Sequence, residues 1–157
     1  MDIIKETKLI GNYLISLRKD FHKHPELGME EYRTSKRIKE ELDKIGVKYE
    51  DGIKTEVVAT IGSGEEKVIA LRADMDALRI QENTGVRYES QNKGLMHACG
   101  HDAHMAALLG AAMILKKYEE NHQGKVVLIF QPAEECSSGA KLISEHGYID
   151  DVDEIFG

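Results

Sequence analysis

The N-terminal third of the chain has apolar residues at helical spacing. They recur at nearly every third or fourth position within 3–22, and a similar pattern follows at 29–45. Between the two segments lies "HPELG", whose proline and glycine are typical of a loop. The pattern predicts two helices joined by this loop. His22 and His24 come at the end of the first helix, and we expect them to be surface or loop residues.

Two runs rich in β-branched residues follow and predict strands. These runs are "TEVVATIGS" (55–63) and "KVIALRA" (67–73), and the "GSGEE" segment between them favours a hairpin. A third run, "KVVLIF" (125–130), shows no polar alternation, which is typical of a central strand covered on both faces. Near the end of the chain, "GAKLISEH" predicts a helix and "VDEIF" predicts a strand.

A longer helix is predicted from Ala103 to about Glu120, between the second and third strands. One broad face of it is apolar, and small residues from Ala106 to Ala111 would let it pack close to a sheet. Asp102 precedes it and is a residue type that caps helices. Strands and helices therefore alternate, which predicts an α/β domain with helices on both faces of the sheet.

Composition and charge narrow the class of protein. The chain has 157 residues, of which 41% are hydrophobic and 31% charged, as expected for one globular domain. A net charge of −7 argues against binding nucleic acid through its phosphates. No apolar run reaches membrane-spanning length, and charges occupy the N-terminus where a signal peptide is apolar. We therefore expect a cytoplasmic protein without a disulfide framework.

The segment "HACGHDAH" (97–104) concentrates three histidines, one aspartate and one cysteine in eight positions. In an extended loop alternate residues point the same way, so His97, Cys99 and His101 are candidates to face one cavity. A thiolate with imidazoles suits Zn²⁺ or a neighbouring first-row metal. This segment therefore predicts a metal site.

Carboxylates follow two of the predicted strands. Asp74 and Asp76 come after "KVIALRA", and Glu134 and Glu135 come after "KVVLIF". Ligand sites of α/β sheets lie at the carboxyl ends of the strands, so these acids are expected at one rim. Neighbouring carboxylates repel each other unless a cation or a proton intervenes, which again favours a metal.

The adjacent pair Glu134 and Glu135 suggests a division of roles. Successive residues point in different directions, so one carboxylate can bind metal while the other stays free. The free carboxylate can take a proton from metal-bound water and pass it to a leaving amine. Such an arrangement is typical of metal-assisted hydrolysis.

Four motifs, in order and spacing, resemble the metal-dependent amidohydrolases of the aminoacylase and carboxypeptidase clan. The matching branch contains hippurate hydrolases, N-acyl-amino-acid amidohydrolases and auxin-conjugate hydrolases. The resemblance covers nearly the whole chain and implies a three-layer catalytic domain with a mostly parallel sheet. It also implies hydrolysis of the amide bond of N-acyl amino acids. The motifs are "RKDFHKHPELGMEEYRTSKRI", "ALRADMDAL", "MHACGHDAHMAALLGAA" and "IFQPAEE".

The resemblance implies a site for two divalent metal ions, which would be zinc, manganese, cobalt or nickel. Cys99 would bridge the metals, and His101 and Glu135 would be further ligands. Glu134 would be the general base. Four other polar residues near the site are expected to orient a ligand or to hold the loop: Asp74, Asp76, His97 and His104. Among them, Asp76 is favoured for orienting a ligand.

Two further histidine ligands of the family, and its lid or dimerisation domain, have no counterpart in residues 1–157. The chain also ends inside its last predicted strand. We therefore expect residues 1–157 to be the N-terminal part of the catalytic domain and to be inactive alone. Dimerisation of the full-length protein is left open.

The chain departs from the family pattern at two positions. Arg79 stands where relatives usually have proline, which removes a fixed φ and adds a cation at the rim of the expected cleft. Cys136 stands where relatives often have glycine and puts a second thiol near Cys99. A disulfide between the two cysteines is an alternative that a reducing compartment disfavours.

Alternatives of several classes are left open. Within the same clan, they are a metallo-carboxypeptidase or dipeptidase and an N-acetyl-diaminopimelate deacetylase. A cysteine-nucleophile hydrolase would use Cys99 to attack, with His101 or His97 as the base. A non-catalytic metal-binding fragment is a third class. The expected partner is a small N-acyl amino acid or short peptide, with no nucleic acid and no membrane.

Overall fold

A computed structural model describes residues 2–64, 66–121 and 123–157 of the chain. Its helices are α1 (Ile3–Lys23), α2 (Tyr32–Ile45), α3 (His101–Lys117) and α4 (Gly139–Glu145), with a 3₁₀ turn at Glu119–Asn121. Its strands are β1 (Lys48–Asp51), β2 (Val57–Ile61), β3 (Val68–Asp74), β4 (Lys125–Gln131) and β5 (Glu154–Phe156). None of the described helices combines the length and apolar character needed to cross a membrane.

The five strands form one mixed sheet in the order β1-β2-β4-β3-β5. β3 runs parallel to both β4 and β5, whereas β2 runs antiparallel to β1 and β4. Parallel pairing is therefore confined to three strands, although the resemblance implied a mostly parallel sheet. The prediction that "KVVLIF" forms a central strand is confirmed.

The predicted hairpin between β2 and β3 is wrong, because β4 lies between the two strands and pairs with both. Local turn residues indicated the hairpin, but the apolar β4 can bury both of its faces only in the middle of the sheet. The loop that follows β2 instead packs against the turn directly before β4. There, a Cβ added at Gly64 would lie 1.6 Å from the carbonyl oxygen of Gln123.

Helices cover both faces of the sheet, which confirms the predicted α/β class. On one face α1, α2 and α3 bury the main core, in which Phe21, Leu42 and Leu109 pack against Phe130 and other strand residues. On the other face Ile143 of α4 packs in a smaller cluster. The sheet therefore lies between two helical layers.

Two predicted helix starts differ from the structure. α2 begins at Tyr32 rather than at 29, because Met29 has a left-handed φ of 65° that interrupts a helix. α3 begins at His101 after Gly100, so Asp102 lies inside the first turn and caps nothing with its side chain. Its carboxylate is used elsewhere, because it accepts hydrogen bonds from Arg18 and His22.

Candidate metal centre

The carboxyl ends of β3 and β4 bring the predicted acids to one edge of the sheet. Asp74 pairs in register with Gln131, so the chain leaves both strands at the same level. Asp76 follows one strand end, and Glu134 and Glu135 follow the other. The N-terminus of α3 adds His101 to the same edge.

Three donor side chains converge at this edge. Ligand atoms of Cys99, His101 and Glu135 all lie within 4.8 Å of one another. Nε2 of His101 is 3.8 Å from Oε1 of Glu135 and 3.9 Å from Oε2 of Glu134. A thiol, an imidazole nitrogen and a carboxylate at these separations form a donor set that suits zinc and similar metals.

His101 is buried and oriented by the backbone. Its Nδ1 lies 2.8 Å from the carbonyl oxygen of Asp76. Because a carbonyl only accepts hydrogen bonds, Nδ1 is the donor and Nε2 faces the acids. Burial opposes the charged ring, but the hydrogen bond to Asp76 and the charge of Asp74 outweigh it and raise the pKa of His101.

Asp76 fastens the glutamate pair to the end of β3. Its two carboxylate oxygens accept hydrogen bonds from the backbone N–H groups of Glu134 and Glu135, each at 3.0 Å. Burial alone would raise the pKa of Asp76, but His101 and these N–H groups lower it. Asp76 therefore contacts the backbone of both glutamates and the ring of His101, as an orienting residue must.

Asp74 and His104 form a second donor group with His101. Nδ1 of the half-exposed His104 is 2.7 Å from Oδ1 of Asp74, while Arg72 donates to Oδ2 of the same carboxylate at 3.0 Å. Because a guanidinium already neutralises Asp74, this group is less suited to a cation than the one around Cys99.

The two glutamates differ in exposure. The side chain of Glu134 is 42% exposed, whereas that of Glu135 is 22% exposed. Oε1 of Glu135 is buried and has no hydrogen-bond partner among the described residues. A buried carboxylate oxygen without a partner is costly, and a bound cation would satisfy it.

Cys99 has an exposed, free thiol, and the Glu135 carboxylate above all raises its pKa to about 11. Without a metal this thiol stays protonated at neutral pH, so it is a poor nucleophile on its own. A cation bound between Sγ of Cys99 and the Glu135 carboxylate would attract both groups and would favour the thiolate form of Cys99.

His97 lies apart from both donor groups of the described chain. It is 4% exposed, and neither ring nitrogen has a hydrogen-bond partner in the described part. Burial lowers its pKa to about 4, so the ring is neutral. It lines a cavity of about 310 Å³ together with Cys99 and His22.

Arg79 and Cys136, the two departures from the family pattern, line one cavity of about 330 Å³ beside the donor set. Asp76 and Glu135 form part of the same wall. Arg79 is exposed and pairs with no acid among the described residues. Cys136 has a free thiol 3.8 Å from the carbonyl oxygen of Ala133.

The expectation that His22 is a surface or loop residue is wrong. It is 6% exposed, with Nδ1 2.9 Å from Asp102 and Nε2 3.1 Å from Glu82. His24 is partly buried and directly follows the last residue of α1. Its Nδ1 lies 2.7 Å from the carbonyl oxygen of Asp20. Neither acid that surrounds His22 is near it in sequence, so helical periodicity gave no sign of this burial.

Sequence reasoning also missed Glu31, which is fully buried. Its carboxylate accepts hydrogen bonds from Thr55 Oγ1 at 2.6 Å and from the Ala133 backbone N–H at 2.9 Å. The available signal was the acidic pair of "GMEEY" directly before a helix, but an acid at that place is also an ordinary helix start.

The chain is similar to known proteins of one peptidase family. The sequence profile described as "Peptidase family M20/M25/M40" matches residues 70–157. The IAA-amino acid hydrolase ILR1-like 5 of Arabidopsis thaliana is 50% identical over 93% of this chain and 34% of its own length. Thermostable carboxypeptidase 1 of Saccharolobus solfataricus is 46% identical over 100% of this chain and 42% of its own length.

A solved structure has the same fold. The Bacillus subtilis YXEP protein, described as a dinuclear metal binding peptidase from the M20 family, superposes with a TM-score of 0.92 and 44% identity. The match covers 96% of this chain and 43% of that one. The chain thus spans between a third and a half of the length of these relatives. It belongs to peptidase family M20/M25/M40.

Proposed function

We propose that this chain is the N-terminal part of the catalytic domain of a metal-dependent amidohydrolase that acts on N-acyl amino acids. The observation that carries the proposal is the convergence of Cys99, His101 and Glu135 within 4.8 Å, with Glu134 beside them. The remaining ligands, and a lid or dimerisation domain, would come from the rest of the full-length protein. The two free thiols of this chain, Cys99 and Cys136, suit the cytosol, where we place the protein.

The residues present fit a divalent metal. Cys99, His101 and Glu135 would hold it, and Oε1 of Glu135 has no hydrogen-bond partner among the described residues that a cation would have to displace. A related structure is described as dinuclear, so we assign Cys99, His101 and Glu135 as this chain's contribution to a site for two metals, where a thiolate, an imidazole and a carboxylate would be ligands. When bound, the metals would polarise the substrate carbonyl and lower the pKa of water.

Glu134 is the residue that moves the proton. Its exposed carboxylate, 3.9 Å from the ring of His101, is free to accept a proton from the attacking water. It then donates that proton to the nitrogen of the scissile amide, which leaves as the free amino acid. Asp76 holds the backbone of Glu134, and His101 turns Nε2 toward the acids because its Nδ1 is engaged by a carbonyl.

The test is Glu134→Gln in the full-length protein, assayed with N-acetyl and N-benzoyl amino acids. We expect turnover to fall by about 10²–10⁴-fold, as for loss of a general base, while the metal content stays unchanged. Glu145→Gln, which changes an exposed glutamate of α4, is the matched control. Retained turnover in Glu134→Gln would refute the role of Glu134.

A carboxypeptidase is the second candidate, because a relative at 46% identity is called one. The same proton transfer by Glu134 would then act on a peptide bond. Parallel assays of N-acyl amino acids and of short peptides, on one preparation, distinguish the two substrates.

A cysteine-nucleophile hydrolase is disfavoured, because Glu135 raises the pKa of Cys99 to about 11. Activity that survives complete removal of metal by a chelator would restore that alternative. Metal binding without turnover by the full-length protein would instead support the non-catalytic alternative.

A further inference from the structure

The turn that carries the glutamate pair has an unusual backbone. Ala133, directly before Glu134, has a φ of +51°, a left-handed conformation that residues with a Cβ rarely adopt. Ala133 is also fully buried. Such a conformation persists only where the surrounding structure holds it.

Two buried carboxylates accept hydrogen bonds from three consecutive backbone N–H groups of this turn. Glu31 accepts from Ala133, while Asp76 accepts from Glu134 and Glu135. Asp76 also contacts His101 and so belongs to the metal centre. The Glu31 carboxylate also accepts a hydrogen bond from the hydroxyl of Thr55.

Glu31 is an expensive residue to bury. It is 0% exposed, and no Lys or Arg pairs with it in the part of the chain that the structure describes. Burial raises the pKa of Glu31, although its hydrogen bonds with Thr55 and Ala133 oppose this rise. A hydrophobic residue would fill the same space without the free-energy cost of burying a carboxyl group. We therefore infer that the hydrogen bond from the Ala133 N–H to Glu31 has a specific role.

The loop before Glu31 presses on the same turn. A Cβ added at Gly28 would lie 2.9 Å from Cα of Ala133 and 3.0 Å from Sγ of Cys136. Only glycine allows this close approach. The segment from Gly28 to Glu31 therefore forms a brace against the glutamate turn, and this gives the "HPELGMEE" motif a structural role.

We propose that Glu31 is a positioning residue: its hydrogen bond to the Ala133 N–H fixes the left-handed turn that aims Glu134 and Glu135 at the metal centre. The proposal rests on the proposed function, which makes Glu135 a metal ligand and Glu134 the general base.

The test is Glu31→Leu in the full-length protein, with zinc affinity measured by competition against a chromophoric chelator and with kcat and KM measured separately. We expect zinc affinity and kcat each to fall about tenfold to a hundredfold, as for loss of a group that orients a ligand, with little change in KM. Glu31→Gln keeps an acceptor for the Ala133 N–H and should restore most of both values.

Glu41→Leu is the matched control, because Glu41 is a glutamate of α2 that is 1% exposed and pairs with Arg37 and Lys44, away from the turn. It should lower the melting temperature and leave zinc affinity unchanged. An equal loss of zinc affinity in Glu41→Leu, or none in a folded Glu31→Leu, would overturn the proposal.

If Glu31→Leu does not fold, Gly28→Ala tests the same turn. The added Cβ would be too close to Ala133 and should displace it, while the Glu31 side chain is unchanged. It should weaken zinc binding in the same direction, and unchanged zinc affinity would overturn the proposal. If the wild-type protein hydrolysed no amide, the proposed function would fail, while the zinc titrations would still test the role of Glu31.

Discussion

Two polar clusters flank the start of α3, and they differ in how their charges are balanced. In the first, Asp102 accepts hydrogen bonds from Arg18 and His22, and His22 reaches Glu82 with its other nitrogen. Arg18 thus brings a permanently charged base into this cluster, and Glu82 also accepts hydrogen bonds from Thr84 and Ser90. The second cluster contains the metal-centre acids, and among the described residues none of Asp76, Glu134 and Glu135 pairs with a Lys or Arg.

We interpret this difference as the one between a structural cluster and the proposed functional one. Buried charges are normally paired, and the cluster around His22 follows that rule. The cluster around His101 breaks it, because the carboxylates of Glu134 and Glu135 meet the thiol of Cys99 without a Lys or Arg partner among the described residues. A carboxylate oxygen without a hydrogen-bond partner does not by itself separate the clusters, since Oδ1 of Asp102 has none either. A divalent cation is the simplest group that would restore the balance, so the excess of acids is itself an argument for metal binding.

Removal of a ligand from the unbalanced cluster should have the largest effect. In His101→Gln of the full-length protein, we expect loss of bound metal and a fall in kcat of more than about a hundredfold, since changing even an orienting partner costs that much. Elemental analysis and turnover of the purified variant check this prediction. A His101→Gln variant with full metal content would show that the ligand set is wrong.

The matching change in the balanced cluster should affect stability instead. His22→Ala leaves Asp102 and Glu82 buried with fewer partners, so we expect a loss of about 2–3 kcal/mol in the free energy of unfolding. Urea unfolding measures this loss, and zinc affinity should change by less than about twofold. A loss of zinc affinity as large as in His101→Gln would contradict the separation of the two clusters.

The pH dependence of stability should change sign when metal binds. The pKa of His101 is raised in the folded chain, so its protonated form stabilises the metal-free protein below about pH 6.5 and this contribution is lost as the pH rises through the raised pKa. Zinc needs the neutral ring and the thiolate of Cys99, so stabilisation by zinc should grow with pH. Melting temperatures between about pH 5.5 and 8.5, with and without zinc, test this. A zinc-induced shift independent of pH would contradict it.

The smallest effect is expected at Arg79, at the edge of the unbalanced cluster. Arg79 lines the cavity beside Glu135 and has no acid partner among the described residues, so it can attract a negative group on the substrate. In Arg79→Pro we expect the kcat/KM for a substrate with an anionic acyl group to fall about threefold relative to a neutral one, as befits an exposed charge. An unchanged ratio would remove Arg79 from substrate selection.

Much of the fold follows from local pattern. The helical spacing at 3–22 and the apolar run of β4 were sufficient to predict α1 and a central strand. Strand pairing was not predictable in the same way, because β2 and β3 are neighbours in sequence while β4 separates them in space. The polar strand β1 (Lys48–Asp51) was missed, because an edge strand that pairs only with β2 needs no apolar alternation.

The residues of the candidate site also fall into two groups, those predicted from local sequence and those that were not. Cys99, His101 and the glutamate pair were found because their residue types are chemically distinctive and because they follow strand ends. Glu31 and His22 were missed, since their partners Ala133 and Asp102 are distant in sequence and their roles depend on burial. Residue type thus predicts the groups that we propose as metal ligands, while the groups that hold them in place require the folded structure.

The most direct test of the account is anomalous diffraction at the zinc edge from crystals of the zinc-loaded full-length protein. We expect a zinc peak in bonding contact with Sγ of Cys99, Nε2 of His101 and a carboxylate oxygen of Glu135, with a Zn–S distance of about 2.3 Å. Zinc bound elsewhere, with these three side chains still free of metal, would contradict it.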